Sequence, residues 1–279
     1  MLRAVATLVL GISLPAAALA EPVSPWVRDG GAALRLIAGE QPVAGPLRAG
    51  IEIRLDSGWK TYWRSPGQSG VPARFDWSAS RNLAAVEVLW PLPSRFQDQE
   101  GTTVGYKGTV VLPLRVTPRD PAEPVRLAGT VSYAICETLC VPAMADVALD
   151  LDRAGGVDPL AAAQLTGFEA RVPERGVLAA TGEFGIAGVT RDDKGNRVRL
   201  TVDVQAPREG GGVDLFAAPV EDDLWVGVPV VRERDESGRS RWSVVLSGQV
   251  AGRSVDLVAV AGRRAISVPI ALDGLAATP

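Results

Sequence analysis

The chain has 279 residues, with 29 Lys and Arg against 32 Asp and Glu for a net charge of −3, two cysteines and no histidine. This charge balance, without a long basic run, argues against nucleic acid or an anionic membrane surface as the main partner. The missing histidine removes the serine–histidine and cysteine–histidine catalytic schemes and the histidine ligands of common zinc and copper sites, so hydrolase chemistry falls away.

In chain order, residues 1–20, "MLRAVATLVLGISLPAAALA", combine an early Arg3, a short apolar run and small residues closing on Ala18-Leu19-Ala20. That is the pattern of a signal peptide, with the mature chain starting near Glu21 and exported to the periplasm or beyond. No later apolar run reaches the roughly 20 residues of a membrane span. Residues 21–151 hold short segments rich in branched and aromatic residues, among them "GIEIRL", "AAVEVLW", "GTVVLPLRV", "VRLAGTVSYAI" and "ADVALDL". Several alternate with period two, as Ile51, Ile53 and Leu55 do, and Gly and Pro punctuate them, which predicts an antiparallel β-sandwich. Residues 152–176 break the pattern with an alanine-rich stretch that predicts a short helix from about Pro159, a linker between domains. The strand signature resumes over 177–279 in "NRVRLTVDVQ", "RWSVVLSG" and "SVDLVAVAG", predicting a second sandwich and an all-β chain. Aromatic residues concentrate in the first half, with Phe75, Trp77 and Trp90 expected in its core.

The two cysteines, Cys136 and Cys140, sit in "YAICETLC" with three residues between them. In an extended strand such residues lie about 13 Å apart, too far for a disulfide, so bonding requires a turn within Glu137-Thr138-Leu139. The strand-like "TVSYAI" before and Pro142 after favour a three-residue hairpin loop over a helical turn. A loop this short gains roughly 2 kcal/mol from closure, against nearly 5 for a hundred residues, and a domain of this size has little need of so small a staple. Three readings remain: a redox couple, favoured; an inert disulfide in a secreted binding or assembly module; and a copper(I) site with Met144 as a nearby soft donor. In the local sequence no His, Lys or Arg flanks the pair, and Glu137 places a negative charge in the loop. This predicts cysteines that a partner's reactive thiolate attacks.

The stretches "SGWKTYWRSPGQSGVPARFDW" (57–77), "VLWPLPSRFQDQEGTTVGYKGTVVLPLRV" (88–116) and "VSYAICETLCVPA" (131–143) resemble, in this order, the amino-terminal periplasmic domain of the thiol:disulfide interchange protein DsbD, and especially its ScsB-like relatives in copper tolerance. The resemblance implies an immunoglobulin-like sandwich in which Cys136 and Cys140 are the catalytic pair, with no metal and no cofactor. It implies partners of two kinds: a membrane-embedded thiol reductase of the DsbD/CcdA type, and thioredoxin-like periplasmic proteins such as those of cytochrome c biogenesis. A cap loop shielding the sulfurs would fall on residues 96–106, placing Phe96, Asp98, Glu100 and Tyr106 near the site together with Tyr62 and Glu137. This chain departs from DsbD in separating its cysteines by three residues where DsbD has five. It also shows neither the membrane segments nor the thioredoxin domain of DsbD, so its electron donor is expected to be a separate protein.

Overall fold

The computed structural model describes residues 21–98, 101–178, 184–194, 197–207, 212–221 and 223–277; the expected signal peptide, 1–20, and Glu100 lie outside the described residues. The chain is built almost entirely from strands. In order these are β1 (Val27–Asp29), β2 (Ala32–Ala38), β3 (Leu47–Leu55), β4 (Lys60–Gly67), β5 (Arg74–Asp76), β6 (Leu83–Val88), β7 (Ser94–Asp98), β8 (Gly101–Lys107), β9 (Thr109–Pro118), β10 (Val125–Cys136) and β11 (Cys140–Leu151). The helix α1 (Pro159–Glu169) follows. After it come β12 (Glu174–Arg175), β13 (Gly185–Lys194), β14 (Arg197–Gln205), β15 (Val213–Pro219), β16 (Leu224–Val226), β17 (Val230–Arg234), β18 (Arg239–Gly248), β19 (Ser254–Ala261) and β20 (Arg264–Ala271).

The first eleven strands form two antiparallel sheets. One runs β1-β2-β3-β9-β6; the other runs β11-β10-β4-β8-β7, with β5 added to β10. Alternation decides which side chains meet between them. Leu34, Leu36, Ile51, Ile53, Leu112 and Leu114 of the first sheet close on Trp63, Tyr106, Leu127, Val131, Ile135 and Leu149 of the second. Phe75, Trp77 and Trp90 pack against this core but stay half-buried at its margin, Phe75 and Trp77 stacked with ring centroids 6.2 Å apart. Glu52, on the opposite face of β3, is fully buried and held between Arg35 (2.7 Å) and Arg54 (2.9 Å).

The helix begins at Pro159, with Asp158 as its N-cap accepting from the Ala161 amide at 2.8 Å. Its Ala161 and Leu165 cover Ile37 and Val111 on the first sandwich, and Glu169 pairs with Arg48 at 2.5 Å. The remaining strands make sheets β12-β20-β19-β15 and β13-β14-β18-β16, with β17 on β18, around a second core. The two sandwiches are joined by apolar contact: Phe216, Ala218 and Val258 belong to the first core, and Phe216 meets Trp63 edge-on at 5.9 Å. Beside that contact Arg64 pairs with Asp256, and Arg95 pairs with Asp214 at 3.0 Å while donating to the Leu215 carbonyl at 2.5 Å.

Candidate active site

Strands β10 and β11 are one long hairpin, and its last antiparallel pair is Cys136 opposite Cys140, closed by the turn Glu137-Thr138-Leu139. The disulfide joins this pair, with α-carbons 4.1 Å apart. Parity along β10 then divides its side chains: Val131, Tyr133 and Ile135 enter the sandwich core, while Ala134 and Cys136 face the other way. On that outer face they are covered by Tyr62, forming a small cluster of their own. Cys136 is 6% exposed, whereas Cys140 is open to solvent. The two sulfurs of one bond thus stand in different surroundings.

Tyr62 comes from β4, the strand beside β10. Its hydroxyl lies 3.0 Å from Cys140 Sγ, and since a disulfide sulfur carries no hydrogen, the hydroxyl is the donor. The ring is held by Gly70, whose φ of +107° suits glycine and whose missing side chain leaves room: a β-carbon there would stand 2.4 Å from the ring. The cleft beside the disulfide has a volume of about 880 Å³ and is lined by Lys60, Tyr62, Val71, Gln97 and the cysteine turn, among others. Exposed apolar side chains border it, with Leu139 77% and Val71 56% accessible.

The strand register brings in a residue absent from the local sequence reading. Lys60 is paired with Cys136 across β4 and β10, and with Lys107 across β4 and β8. Directly opposed residues project to the same face, so Cys136, Lys60 and Lys107 form one row next to Cys140. Lys60 is 5% exposed and donates to Thr103 Oγ1 at 3.1 Å. The expectation that no basic group stands by the pair concerned neighbours in sequence; pairing supplies one from a distant strand. The lone hint was "WKTYW", where Lys60 sits two positions from Tyr62 and so shares its face.

The other expected site residues distribute unevenly. Phe96 lies on β7, its ring beneath the ammonium groups of Lys107 (4.9 Å) and Lys60 (5.9 Å), while the next residue, Gln97, reaches the cleft. Asp98 ends β7 opposite Gly101; its side chain and Glu100 lie outside the described residues. Glu137 is exposed in the turn, its carboxylate against Gly58. Tyr106 does not reach the cysteines. It lies in the sandwich core and donates to the Pro91 carbonyl at 2.7 Å, and burial pushes its ionisation well above the usual tyrosine range. The reason is parity: Lys107 takes the outer face of β8, so Tyr106 must take the inner one.

Residues 35–152 match the family model described as "Thiol:disulfide interchange protein DsbD, N-terminal". No curated protein matches the sequence. Among solved structures, the chain is similar to the N-terminal periplasmic domain of ScsB from Proteus mirabilis, with 20% identity and a TM-score of 0.66 over 92% of this chain and 99% of that one. Domains 4 and 5 of the S-layer protein SbsC align over 75% of this chain at 14% identity with a TM-score of 0.18, too low for a shared fold. No helix among the described residues is long and apolar enough to cross a membrane. The chain shares the fold of the ScsB domain over 92% of its length, and its segment 35–152 is similar to the N-terminal domains of DsbD.

Proposed function

We propose that the chain is a periplasmic thiol:disulfide relay, a protein-disulfide reductase component that alternates Cys136 and Cys140 between disulfide and dithiol. The observation that carries this reading is the asymmetry of the bond: an exposed Cys140 for a partner to attack and a buried Cys136 to leave. A donor thiolate attacks Cys140 Sγ, a mixed disulfide forms, and Cys136 departs with the electron pair. The donor's second thiolate then releases Cys140, and the reduced pair passes its electrons to an oxidised partner by the reverse steps. A membrane-embedded thiol reductase of the DsbD/CcdA type as donor and thioredoxin-like proteins as acceptors fit the family, and the apolar rim of Leu139 and Val71 offers such partners a docking edge. The exchange itself needs no cofactor.

The test is trapping. Cys136→Ser, which keeps Cys140, is expected to accumulate a mixed disulfide when mixed with a thioredoxin carrying a single attacking cysteine and an activated leaving group. Cys140→Ser is expected to accumulate little. Equal capture by both variants, or by neither, contradicts the assignment.

A further inference from the structure

We infer that Lys60 is the positioning charge of this site: its buried ammonium stabilises the Cys136 thiolate that leaves when Cys140 is attacked. The inference rests on the relay reading and deepens it. Lys60 and Cys136 are a directly opposed antiparallel pair, a placement that brings β-carbons to about 5 Å on one face of the sheet. Both residues line the cleft, and both are nearly inaccessible, Lys60 at 5% and Cys136 at 6%. The Lys60 ammonium is held by Thr103 Oγ1 at 3.1 Å, so it acts on Cys136 through space and not by direct contact. A nearby opposite charge favours ionisation of a thiol, and burial limits the screening that weakens surface pairs.

The described charged and titratable groups around the row are Lys60 and Tyr62 on β4, Lys107 on β8, and Glu137 in the turn. Glu137 acts in the opposing sense, but it is exposed and its carboxylate is turned to Gly58, where water screens it. Lys107 lies one strand farther from Cys136 than Lys60 does and adds to the same sign. Tyr62 gives its hydrogen bond to Cys140. Of the charged groups, Lys60 is the buried one and is paired with Cys136 in the ladder, which favours its influence over that of the exposed glutamate.

The step it assists balances without a further reactant. A donor thiolate gives its electron pair to a new bond with Cys140 Sγ while the Cys136–Cys140 bond breaks onto Cys136 Sγ. The donor sulfur is oxidised to the level of the mixed disulfide and Cys136 is reduced to thiolate, on the sheet face that carries Lys60. Lower basicity in a leaving thiol speeds its departure, so the lysine favours attack at Cys140 over attack at Cys136.

The test measures Cys136 ionisation directly. In a Cys140→Ser background, the pH midpoint of thiolate formation is followed by ultraviolet absorbance. With Lys60 present the midpoint is expected below the free-cysteine value of about 8.5; adding Lys60→Met raises it by about one pH unit or more. Lys60→Arg, which keeps the charge, restores most of the difference, and Lys107→Met moves it less. A midpoint at or above about 8.5 with Lys60 in place, or no upward shift in a folded Lys60→Met protein, overturns the inference. In the disulfide form, reduction by dithiothreitol is expected to slow about threefold or more in Lys60→Met, taking a sensitivity near 0.5 per pH unit. Exchange that persists while the Cys136 midpoint ignores Lys60 sinks this inference alone. A wild-type disulfide that never exchanges sinks the relay, and the absorbance measurement still decides the role of Lys60.

Discussion

Reducing the disulfide should soften this protein slightly and leave its fold intact. The bond closes a ring with a sequence separation of 4 between Cys136 and Cys140, residues that the β10–β11 ladder already pairs. For so short a ring the chain-entropy model gives about 2 kcal/mol, a modest part of the about 5–15 kcal/mol that holds a typical domain. The rest of the fold owes nothing to the bond: two large apolar cores and twelve ladder pairs along β10–β11, of which Cys136 and Cys140 are only the last. For a chain of this size about 2 kcal/mol corresponds to a fall in Tm of roughly 4–8 °C. Thermal unfolding followed by circular dichroism, with and without dithiothreitol, reads this directly, and Cys136→Ser/Cys140→Ser serves as a reductant-free control. A cooperative transition in both redox states is expected, as a carrier that must remain folded between two partners requires. Loss of the cooperative transition on reduction, or a fall well beyond about 20 °C, would mean the bond is a structural staple and would refute this reasoning.

Three further perturbations probe the scaffold. Gly70→Ala places a β-carbon 2.4 Å from the Tyr62 ring at a φ of +107°; it is expected to cost about 1–3 kcal/mol in chemical denaturation and to displace Tyr62 from Cys140, and an unchanged midpoint would contradict the packing. Arg95→Ala removes the tie from β7 to Asp214 and the Leu215 carbonyl. A loss of about 1 kcal/mol there predicts roughly fivefold faster amide exchange across Ser94–Asp98 and Gly101–Lys107, and exchange that does not change would show that the second sandwich does not steady the hairpin. Tyr133, pushed up to about 12 by burial and then by the Asp29 carboxylate, binds its proton more tightly folded than unfolded, where tyrosine ionises near 10. Its contribution is full below about pH 10 and is lost as pH rises toward 12; Tyr133→Phe should flatten urea midpoints in that window. The residual slope comes from Tyr106, whose ionisation burial also raises. Because the Tyr133 hydroxyl is buried with no hydrogen-bond partner among the described residues, the same variant should lose little at neutral pH, and a large loss would contradict that environment.

The all-β class was legible in residues such as Ile51, Ile53 and Leu55, whose alternation and core positions agree. The cysteine turn was legible as well, because three residues between strand-forming segments leave few ways to close. Face parity was harder. In "WKTYW" alternation required one ring inside and one outside, and only the sheet determined that Trp63 is the core residue and Tyr62 the one at the cysteines. The same parity sent Tyr106 inward, against expectation. Lys60 was harder still: its partnership with Cys136 is a long-range register, created by β4 docking on β10, and the local sequence hinted only that it shares a face with Tyr62. The contact of Phe216 with Trp63, which ties the second sandwich beneath the active strand, is hidden for the same reason.

The central claim, that the Cys136–Cys140 bond opens and closes in use, is tested most directly by its reduction potential. The measurement equilibrates the protein with glutathione or dithiothreitol buffers and traps the free thiols. A value between about −270 and −120 mV is expected, where thiol–disulfide oxidoreductases lie. A couple that stays oxidised below about −300 mV, in the range of inert structural disulfides, would contradict it.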